Sequence, residues 1–395
     1  MMKGERNARS VQRSLACAFG ALYFSLGIYM PFFSLWLIAR GLDPDEIGVA
    51  LAVPLVTRLV ATPVLGLLSD RLGRPKAILV GLALASSTMM AALAFCSGTF
   101  AIYVVLGITA MAWNPSFALL DAYTTRQARR GVVDYGRSRL WGSAAFVCAN
   151  LLGGVLVAQA GASVVVLLMI AGQVALFFGT LALPELKRPP ETAALNLPAM
   201  RVPPVLVAGI AAAALVQASH ATLYAFGSLH WAATGISLSV IGALWAIGVV
   251  AEIVFFRFGT RAVARLGPLN LIALGGLAAV IRFSCYAYSL PLPALVVLQL
   301  LHGATFGATY LGMVELVART TPEHRAAGAQ SIAAWTVSLA LSGASAAAGA
   351  FWTEYGAQCF FASAALGGLG GILALGTRWL QPQSAGSGGK ARAPS

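Results

Sequence analysis

Apolar stretches of membrane-spanning length follow one another along almost the whole chain. The hydrocarbon core of a bilayer requires about 20 consecutive apolar residues in a helix. We predict twelve such helices, at 14–38, 45–68, 76–96, 98–121, 138–160, 163–183, 205–230, 238–258, 268–289, 291–317, 326–351 and 356–379. Because backbone polar groups in lipid must be satisfied within each segment, these stretches predict an all-α membrane protein.

The composition excludes an ordinary soluble domain. The 395 residues are 59% hydrophobic and 10% charged, whereas a soluble domain carries about 25% charged residues. The five cysteines lie within predicted helices and show no paired or metal-like spacing. We therefore interpret them as small packing residues, and we expect no metal site and no cofactor.

The basic residues indicate how the chain is oriented. If the N-terminus is cytoplasmic, Arg40 falls in an outward loop, Arg58 and Arg282 lie within helices, and all the other Lys and Arg residues fall in inward loops, helix ends or tails. This positive-inside pattern predicts a multi-pass protein of a bacterial-type inner membrane with both termini in the cytoplasm. The net charge of +13 then reflects topology and attraction to anionic lipids, so we expect no nucleic-acid partner.

A charged, proline-rich segment, LPELKRPPETAALNLPAMRVPP, separates the sixth and seventh predicted helices. We predict a six-helix half at 1–183, a cytoplasmic linker at 184–204, a second six-helix half at 205–380 and a disordered cytoplasmic tail at 381–395. Arg71-Leu72-Gly73 after helix 2 aligns with Arg265-Leu266-Gly267 after helix 8, which favours an internal repeat. Paired halves are typical of secondary transporters, which bind substrate between the halves near the midplane. We expect a monomer.

The loop after helix 2, GLLSDRLGRPK at 66–76, resembles the signature of the major facilitator superfamily. Glycine permits close packing and tight turns, and an aspartate can cap a helix or pair with an arginine. The resemblance implies the twelve-helix major facilitator fold. It also implies a conformational latch that ties the cytoplasmic ends together in one state, formed by Gly66, Asp70, Arg71, Gly73 and Arg74.

Ionisable residues inside predicted spans indicate functional sites, because a charge in the bilayer costs about 2.5–3.5 kcal/mol on insertion scales. Asp121 ends helix 4 and Arg139 opens helix 5, so we expect these antiparallel neighbours to bring the two side chains together. Glu252 in helix 8, Arg282 in helix 9 and His302 in helix 10 form a second set. An acid, a base and an imidazole that face one cavity can carry a proton.

These spacings resemble the lactose permease branch of the superfamily, in YGRSRLWG and in the 20-residue interval from Arg282 to His302. The resemblance implies that Asp121 and Arg139 bind substrate, and that proton coupling involves Glu252, Arg282 and His302. One position departs from the pattern, because Thr305 stands where the permease has its proton-carrying acid. Glu252 or His302 would then take the proton, or another ion is used.

A further resemblance, to bacterial 3-phenylpropionate transporters, extends over most of the chain. It is carried by Arg58 in VTRLV and by DYGRSRLWGSAAFV, SHATLYAFGSLHWAATG, IGALWAIGVVAEIVFF and LQLLHGATF. It implies proton-coupled uptake of an aromatic carboxylate. A small anionic substrate and the lipid bilayer are therefore the expected partners.

Such a substrate needs an arginine for its carboxylate and an apolar wall for its ring. Arg58, Arg139 and Arg282 are the candidate arginines. The candidate wall residues are Tyr29, Phe32, Trp36, Trp141, Phe146, Tyr224 and Trp245. His220 shares a helix 7 face with Tyr224 and is a candidate for substrate binding or gating.

Other function classes fit the sequence less well. No metalloprotease, nucleophile-elbow or phosphate-binding motif is present, so we do not expect an enzyme. A sugar or nucleoside symporter stays open as an alternative. A proton-driven exporter also stays open, although helix 5 lacks the Gly-Pro motif typical of drug exporters.

Overall fold

The computed structural model describes residues 2–186 and 203–380, and this part of the chain is all-helical. Most of the predicted linker and the whole predicted tail lie outside the described residues. The long helices are α1 (Met2–Ala39), α2 (Pro44–Leu72), α3 (Pro75–Phe95), α4 (Thr99–Arg129), α5 (Tyr135–Ala160), α6 (Val164–Leu181), α7 (Pro204–Ala233), α8 (Leu238–Leu266), α9 (Pro268–Tyr286), α10 (Leu292–Thr320), α11 (Glu323–Tyr355) and α12 (Cys359–Thr377).

The described residues contain 11 candidate membrane spans by length and apolar composition, against the twelve that the sequence predicts. The last candidate span, Gly328–Leu380, is 53 residues long and includes most of α11 and all of α12. A 3₁₀ turn at Gly356–Gln358 separates these two helices. Gly356 has φ of 51°, a left-handed conformation that interrupts the helix at the predicted boundary.

Two helices extend about two turns beyond their predicted C-terminal ends. α4 continues to Arg129 instead of ending at 121, and α8 continues to Leu266 instead of ending at 258. The added turns carry arginines, which end the apolar stretch but favour helix. Hydropathy therefore locates the membrane crossing and underestimates the length of the helix.

The turns at the ends of α2 have clear local causes. Asp43 and Glu46 form a capping box, with Asp43 Oδ1 accepting from the Glu46 N–H at 3.0 Å and Glu46 Oε2 accepting from the Asp43 N–H at 3.1 Å. α2 ends at Gly73, which has φ of 61°, and Gly267 after α8 has φ of 74°. Both loops of the predicted repeat thus place a glycine where positive φ is needed.

The helices pack in two sets that meet through two helix pairs. In the first set, α1 packs against α5 and α6, while α4 packs against α2 and α3. In the second set, α7 and α9 each pack against α12, and α9 also packs against α10. The contacts between the sets are mainly those of α2 with α11 and of α5 with α8.

Glycines allow both of these helix pairs to come into backbone contact. We call the end of the bundle with the α1–α2 loop, residues 40–43, the first-loop end. Near it, a Cβ on Gly48 of α2 would lie 2.7 Å from the Gly349 Cα of α11. A Cβ on Gly154 of α5 would lie 2.6 Å from the Leu238 O of α8, and one on Gly242 would lie 2.2 Å from the Asn150 O. These contacts close the bundle at the first-loop end.

Candidate functional site

Arg282 on α9 is the most deeply buried charge of the predicted set. Its side chain is sealed from the surface, and only 1% of the residue is exposed. Nη1 donates to His302 Nδ1 at 3.2 Å and to Thr305 Oγ1 at 3.1 Å, and Nη2 donates to Gln299 Oε1. Tyr286 OH donates to the same Gln299 oxygen at 3.3 Å. Arg282 is thus held by neutral acceptors on α10.

His302 lies between Arg282 and Glu252. Its Nε2 is 3.5 Å from Glu252 Oε2 on α8. Because Nδ1 accepts a hydrogen bond from a guanidinium, it carries no proton, so a neutral His302 carries its proton on Nε2, toward Glu252. The structure therefore brings the predicted trio together as a chain in which the imidazole bridges the acid and the base.

His220 on α7 extends this chain through Thr305. His220 Nε2 lies 3.0 Å from Thr305 Oγ1, and Nδ1 lies 3.2 Å from the Gln217 carbonyl oxygen. A carbonyl only accepts, so Nδ1 carries the proton and Nε2 accepts from the threonine hydroxyl. Thr305 therefore connects His220 with Arg282, at the position where the lactose permease resemblance has an acid.

Asp121 and Arg139 lie close enough to interact electrostatically, as expected of these antiparallel neighbours, but no ion pair joins them among the described contacts. Within the described ranges, Asp121 Oδ1 instead accepts from Tyr135 OH at 3.0 Å. The Arg139 guanidinium lies 4.1 Å from the centroid of the Tyr23 ring on α1. Asp121 is thus bound by the hydroxyl of Tyr135, which lies one turn before Arg139. The Arg139 cation is bound by a neutral ring face, so each charge has a neutral partner.

Arg58 lies at the contact between the two helix sets. Its guanidinium donates to Ser338 Oγ on α11. On the same pair of helices, Trp335 Nε1 donates to the Leu59 carbonyl oxygen at 3.0 Å. Arg58 therefore joins α2 to α11 in this conformation.

The predicted ring-binding residues occupy different environments. Phe32, Trp36, Phe146 and Trp245 are buried packing residues, and Trp141 is 60% exposed. Tyr29 stacks on Phe33 with centroids 4.9 Å apart. Tyr224 lies 5.6 Å from the His220 ring and 6.0 Å from the Trp245 ring, and Trp245 Nε1 donates to Ser228 Oγ at 2.9 Å. The candidates on α7 and α8 thus adjoin the polar chain, and Phe32 and Trp36 belong to the core.

The signature loop forms an ion pair within one helix set, whereas the predicted latch would tie the cytoplasmic ends together. Asp70 Oδ1 on α2 pairs with Arg126 Nη2 on α4 at 2.7 Å. Both helices belong to the first set, so the pair does not join the two sets. Gly73 makes the predicted turn, whereas a Cβ on Gly66 would meet nothing within 4 Å. Close packing at Gly66 was therefore wrongly predicted, because its face of α2 is open in this conformation. Arg71 and Arg74 are exposed beside this loop.

Comparison with known proteins decides the family. The sequence model of the MFS_1 like family matches residues 14–363. The chain belongs to this family. It is therefore a multi-pass membrane transporter of the major facilitator superfamily, as the resemblance in the signature loop predicted.

Two relatives and two solved structures illustrate the similarity. A probable 3-phenylpropionic acid transporter of Escherichia coli (strain K12) is 30% identical over 313 residues, which cover 78% of this chain and 82% of the relative. The maltose permease of Geobacillus stearothermophilus is 24% identical over 314 residues, which cover 77% and 78%. The crystal structure of the nucleoside transporter NupG has a TM-score of 0.80 at 17% identity and covers 94% of this chain and 98% of its own. An inward-facing, unoccupied bacterial homolog of the human lysosomal transporter Spinster has a TM-score of 0.75 at 13% identity and covers 95% and 97%.

Several residues of this transporter's site escaped sequence reasoning. Tyr135 and Tyr23 bind the charges of Asp121 and Arg139, and Gln299 holds Arg282. Tyr310 on α10 lies near Asp121, Arg139 and Glu252, which come from three other helices. Its spacing of eight residues from His302 was the available signal, since residues four apart share a helix face.

Proposed function

We propose that this transporter carries out proton-coupled uptake of a small aromatic carboxylate by alternating access. The supporting observation is a surplus of positive charge inside the membrane. Arg58, Arg139 and Arg282 form no ion pair with an acid among the described residues, while Asp121 and Glu252 are engaged by Tyr135 and His302. A substrate carboxylate would reduce this surplus, since an isolated buried charge is costly.

Arg139 is the arginine best placed to bind the carboxylate. Arg282 already donates to three side chains, and Arg58 is used in the contact with Ser338. Arg139 lies over a ring face, and a cation–π contact leaves its N–H groups in the guanidinium plane free for a bidentate bond. It also lies close enough to Glu252 to interact electrostatically, which links substrate and coupling ion.

Glu252 is the group that we assign as the proton carrier. Protonation of His302 on Nδ1 would remove the acceptor that Arg282 uses. Protonation of Glu252 removes one negative charge and keeps every hydrogen bond of Arg282. Thr305 has no titratable proton in the physiological range, so the acid on α8 takes over the role that the permease branch gives to its α10 acid.

Alternating access follows if α1–α6 and α7–α12 move as two halves of six membrane crossings each. The positive-inside pattern places the first-loop end outside the cell and the signature loop in the cytoplasm. Closure by Gly48 with Gly349 and by Gly154 with Gly242 then corresponds to an inward-facing state. Opening of these two contacts would admit substrate from outside, and differential proton affinity would couple the gradient to the change.

The test is uptake of radiolabelled 3-phenylpropionate into proteoliposomes with an imposed inward proton gradient. We expect gradient-driven uptake by the wild type and an about 10- to 100-fold loss in Arg139→Ala, the cost of one charge-assisted bond. Arg139→Lys should retain part of the activity, because lysine keeps the charge but cannot form the bidentate hydrogen bond. Arg137→Ala is the matched control, since Arg137 is exposed two residues away.

Absence of uptake by correctly inserted wild-type protein would rule out this substrate. Uptake that persists in Arg139→Ala would make Arg139 structural. A sugar or nucleoside symporter is the alternative that the relatives suggest, through the maltose permease and NupG. The same proteoliposomes would then be assayed with maltose and uridine, and for proton-driven export.

A further inference from the structure

Three rings on α10 form a continuous stack, which we call the α10 ladder: His302, Phe306 and Tyr310. The His302 and Phe306 rings are 5.4 Å apart with an interplanar angle of 21°. The Phe306 and Tyr310 rings are 6.1 Å apart with an angle of 3°. Near-parallel rings at these distances are in the favourable offset-stacked range.

The α10 backbone beside the ladder contains a π-helical turn and two closely packed glycines. α10 contains a π-helical turn at Gly303–Ala308, and such turns are frequent at functional sites. Gly303 and Gly307 occupy the neighbouring face, which packs tightly on α8. A Cβ on Gly303 would lie 2.8 Å from the Ala251 O, and one on Gly307 would lie 3.1 Å from Phe255 Cδ1. The glycine face is therefore committed to α8, and the bulky rings lie beside it.

The ladder runs from the contacts of His302 with Glu252 and Arg282 to Asp121 and Arg139 of the first helix set. At one end, His302 bridges Glu252 and Arg282. At the other end, Tyr310 is 43% exposed and lies near Asp121 and Arg139. One face of its ring is covered by Phe306, and Phe256 approaches at 6.1 Å with an angle of 68°. The rest of the ring is uncovered.

We propose that the uncovered face of Tyr310 is an aromatic subsite that stacks on the ring of the substrate while Arg139 binds its carboxylate. This inference rests on the proposed function and adds a substrate class: planar aromatic acids in preference to saturated-ring acids of the same length. Of the predicted wall residues, Phe32 and Trp36 do not compete for this role, because they are buried in the core. Tyr310 instead combines an exposed ring with nearby groups that would fix a carboxylate.

The experiment compares two acids that differ in ring type. Binding of 3-phenylpropionate and of 3-cyclohexylpropionate to the full-length transporter in nanodiscs is measured by isothermal titration calorimetry. The wild type should bind the phenyl acid about three- to tenfold more tightly than the cyclohexyl acid, the scale of an aromatic pair. Tyr310→Leu should bring this ratio close to one, and Tyr310→Phe should preserve it.

Tyr288→Leu is the matched control, because Tyr288 is an exposed tyrosine in the α9–α10 loop and should leave the ratio unchanged. An unchanged ratio in Tyr310→Leu would overturn the subsite and leave the proposed function standing. An equal loss of both acids, in protein that still elutes as a folded species, would also overturn it by assigning Tyr310 a structural role. Binding of neither acid by the wild type would reject the proposed function itself.

Discussion

At the scale of single residues, the described structure contains a buried cation without a carboxylate partner. Arg282 depends on Gln299, Thr305 and His302, all of which are neutral acceptors when His302 carries one proton. Removal of one acceptor leaves a charged donor unsatisfied in a dry environment. Substitution of the acceptors around this guanidinium should therefore be a sensitive probe of stability.

Gln299→Leu tests this dependence. The substitution keeps the side-chain volume nearly constant but removes the oxygen that accepts from Arg282 Nη2. We expect the free energy of unfolding to fall by about 1–3 kcal/mol, the cost of a buried unsatisfied donor. Unfolding in mixed micelles is followed by tryptophan fluorescence as the fraction of SDS rises.

Tyr286→Phe is the control for Gln299→Leu. It removes the longer bond to the same oxygen, at 3.3 Å, and leaves the Gln299 oxygen in place as the acceptor of Arg282 Nη2. Its loss should be clearly smaller. Equal stability of wild type and Gln299→Leu would show that the Arg282 donors find other partners.

The sequence predicted which charges matter but not which neighbours they have. Glu252, Arg282 and His302 were singled out because charges are rare in apolar stretches, and the structure joins them. Their linkage order, with the imidazole in the middle, depends on helix rotation, which one sequence does not show. Tyr135 and Tyr310 were missed because tyrosines are common at membrane interfaces, so composition does not separate a site residue from an interfacial one.

At the scale of helices, two glycine contacts hold the first-loop end closed. Gly→Ala at such a position adds only a methyl group, but the backbone opposite cannot move aside as a side chain can. The element boundaries were predicted within a few residues where a glycine or proline marks the turn, as at Gly73. They were underestimated where arginines extend a helix beyond the apolar stretch, as in α4 and α8.

Gly154→Ala should shift the transporter away from the conformation closed at the first-loop end. The new Cβ would lie 2.6 Å from the Leu238 O, a separation that Cβ atoms do not tolerate. We expect spin-label distances between the α5 and α8 ends to lengthen and uptake to slow, while substrate binding persists. The measurement is spin-label electron paramagnetic resonance on a labelled pair at Ala160 and Ser237, which are exposed at the ends of α5 and α8.

Gly81→Ala serves as the comparison for Gly154→Ala, because a Cβ on Gly81 meets nothing within 4 Å. Its distance distribution should match the wild type. An unchanged distribution in Gly154→Ala would mean that the contact between α5 and α8 accommodates the added methyl group without moving the helices apart. The glycine contact would then have no influence on the choice of state.

At the scale of the whole molecule, coupling requires that the proton and the substrate act on the same conformational equilibrium. A ligand shifts an equilibrium only by its differential affinity for the two states. Glu252 meets this requirement through its contacts. It touches His302, which touches Arg282, and it interacts electrostatically with Arg139 of the other helix set. The family signature in the sequence predicted the fold, but this connection across the helix sets required the structure.

Glu252→Gln separates coupling from transport. The amide keeps the size of the side chain and cannot exchange a proton, so the neutral form is fixed. We expect gradient-driven accumulation of 3-phenylpropionate to be lost, whereas exchange of labelled for unlabelled substrate at equal pH continues. Exchange needs the loaded carrier to alternate and does not need the proton to leave.

Asp121→Asn is the comparison, because Asp121 is engaged by Tyr135 and should affect exchange and accumulation together. Gradient-driven accumulation that survives in Glu252→Gln would assign the proton to another group, and His302 would be the next to test because it alone touches both Glu252 and Arg282 among the described contacts.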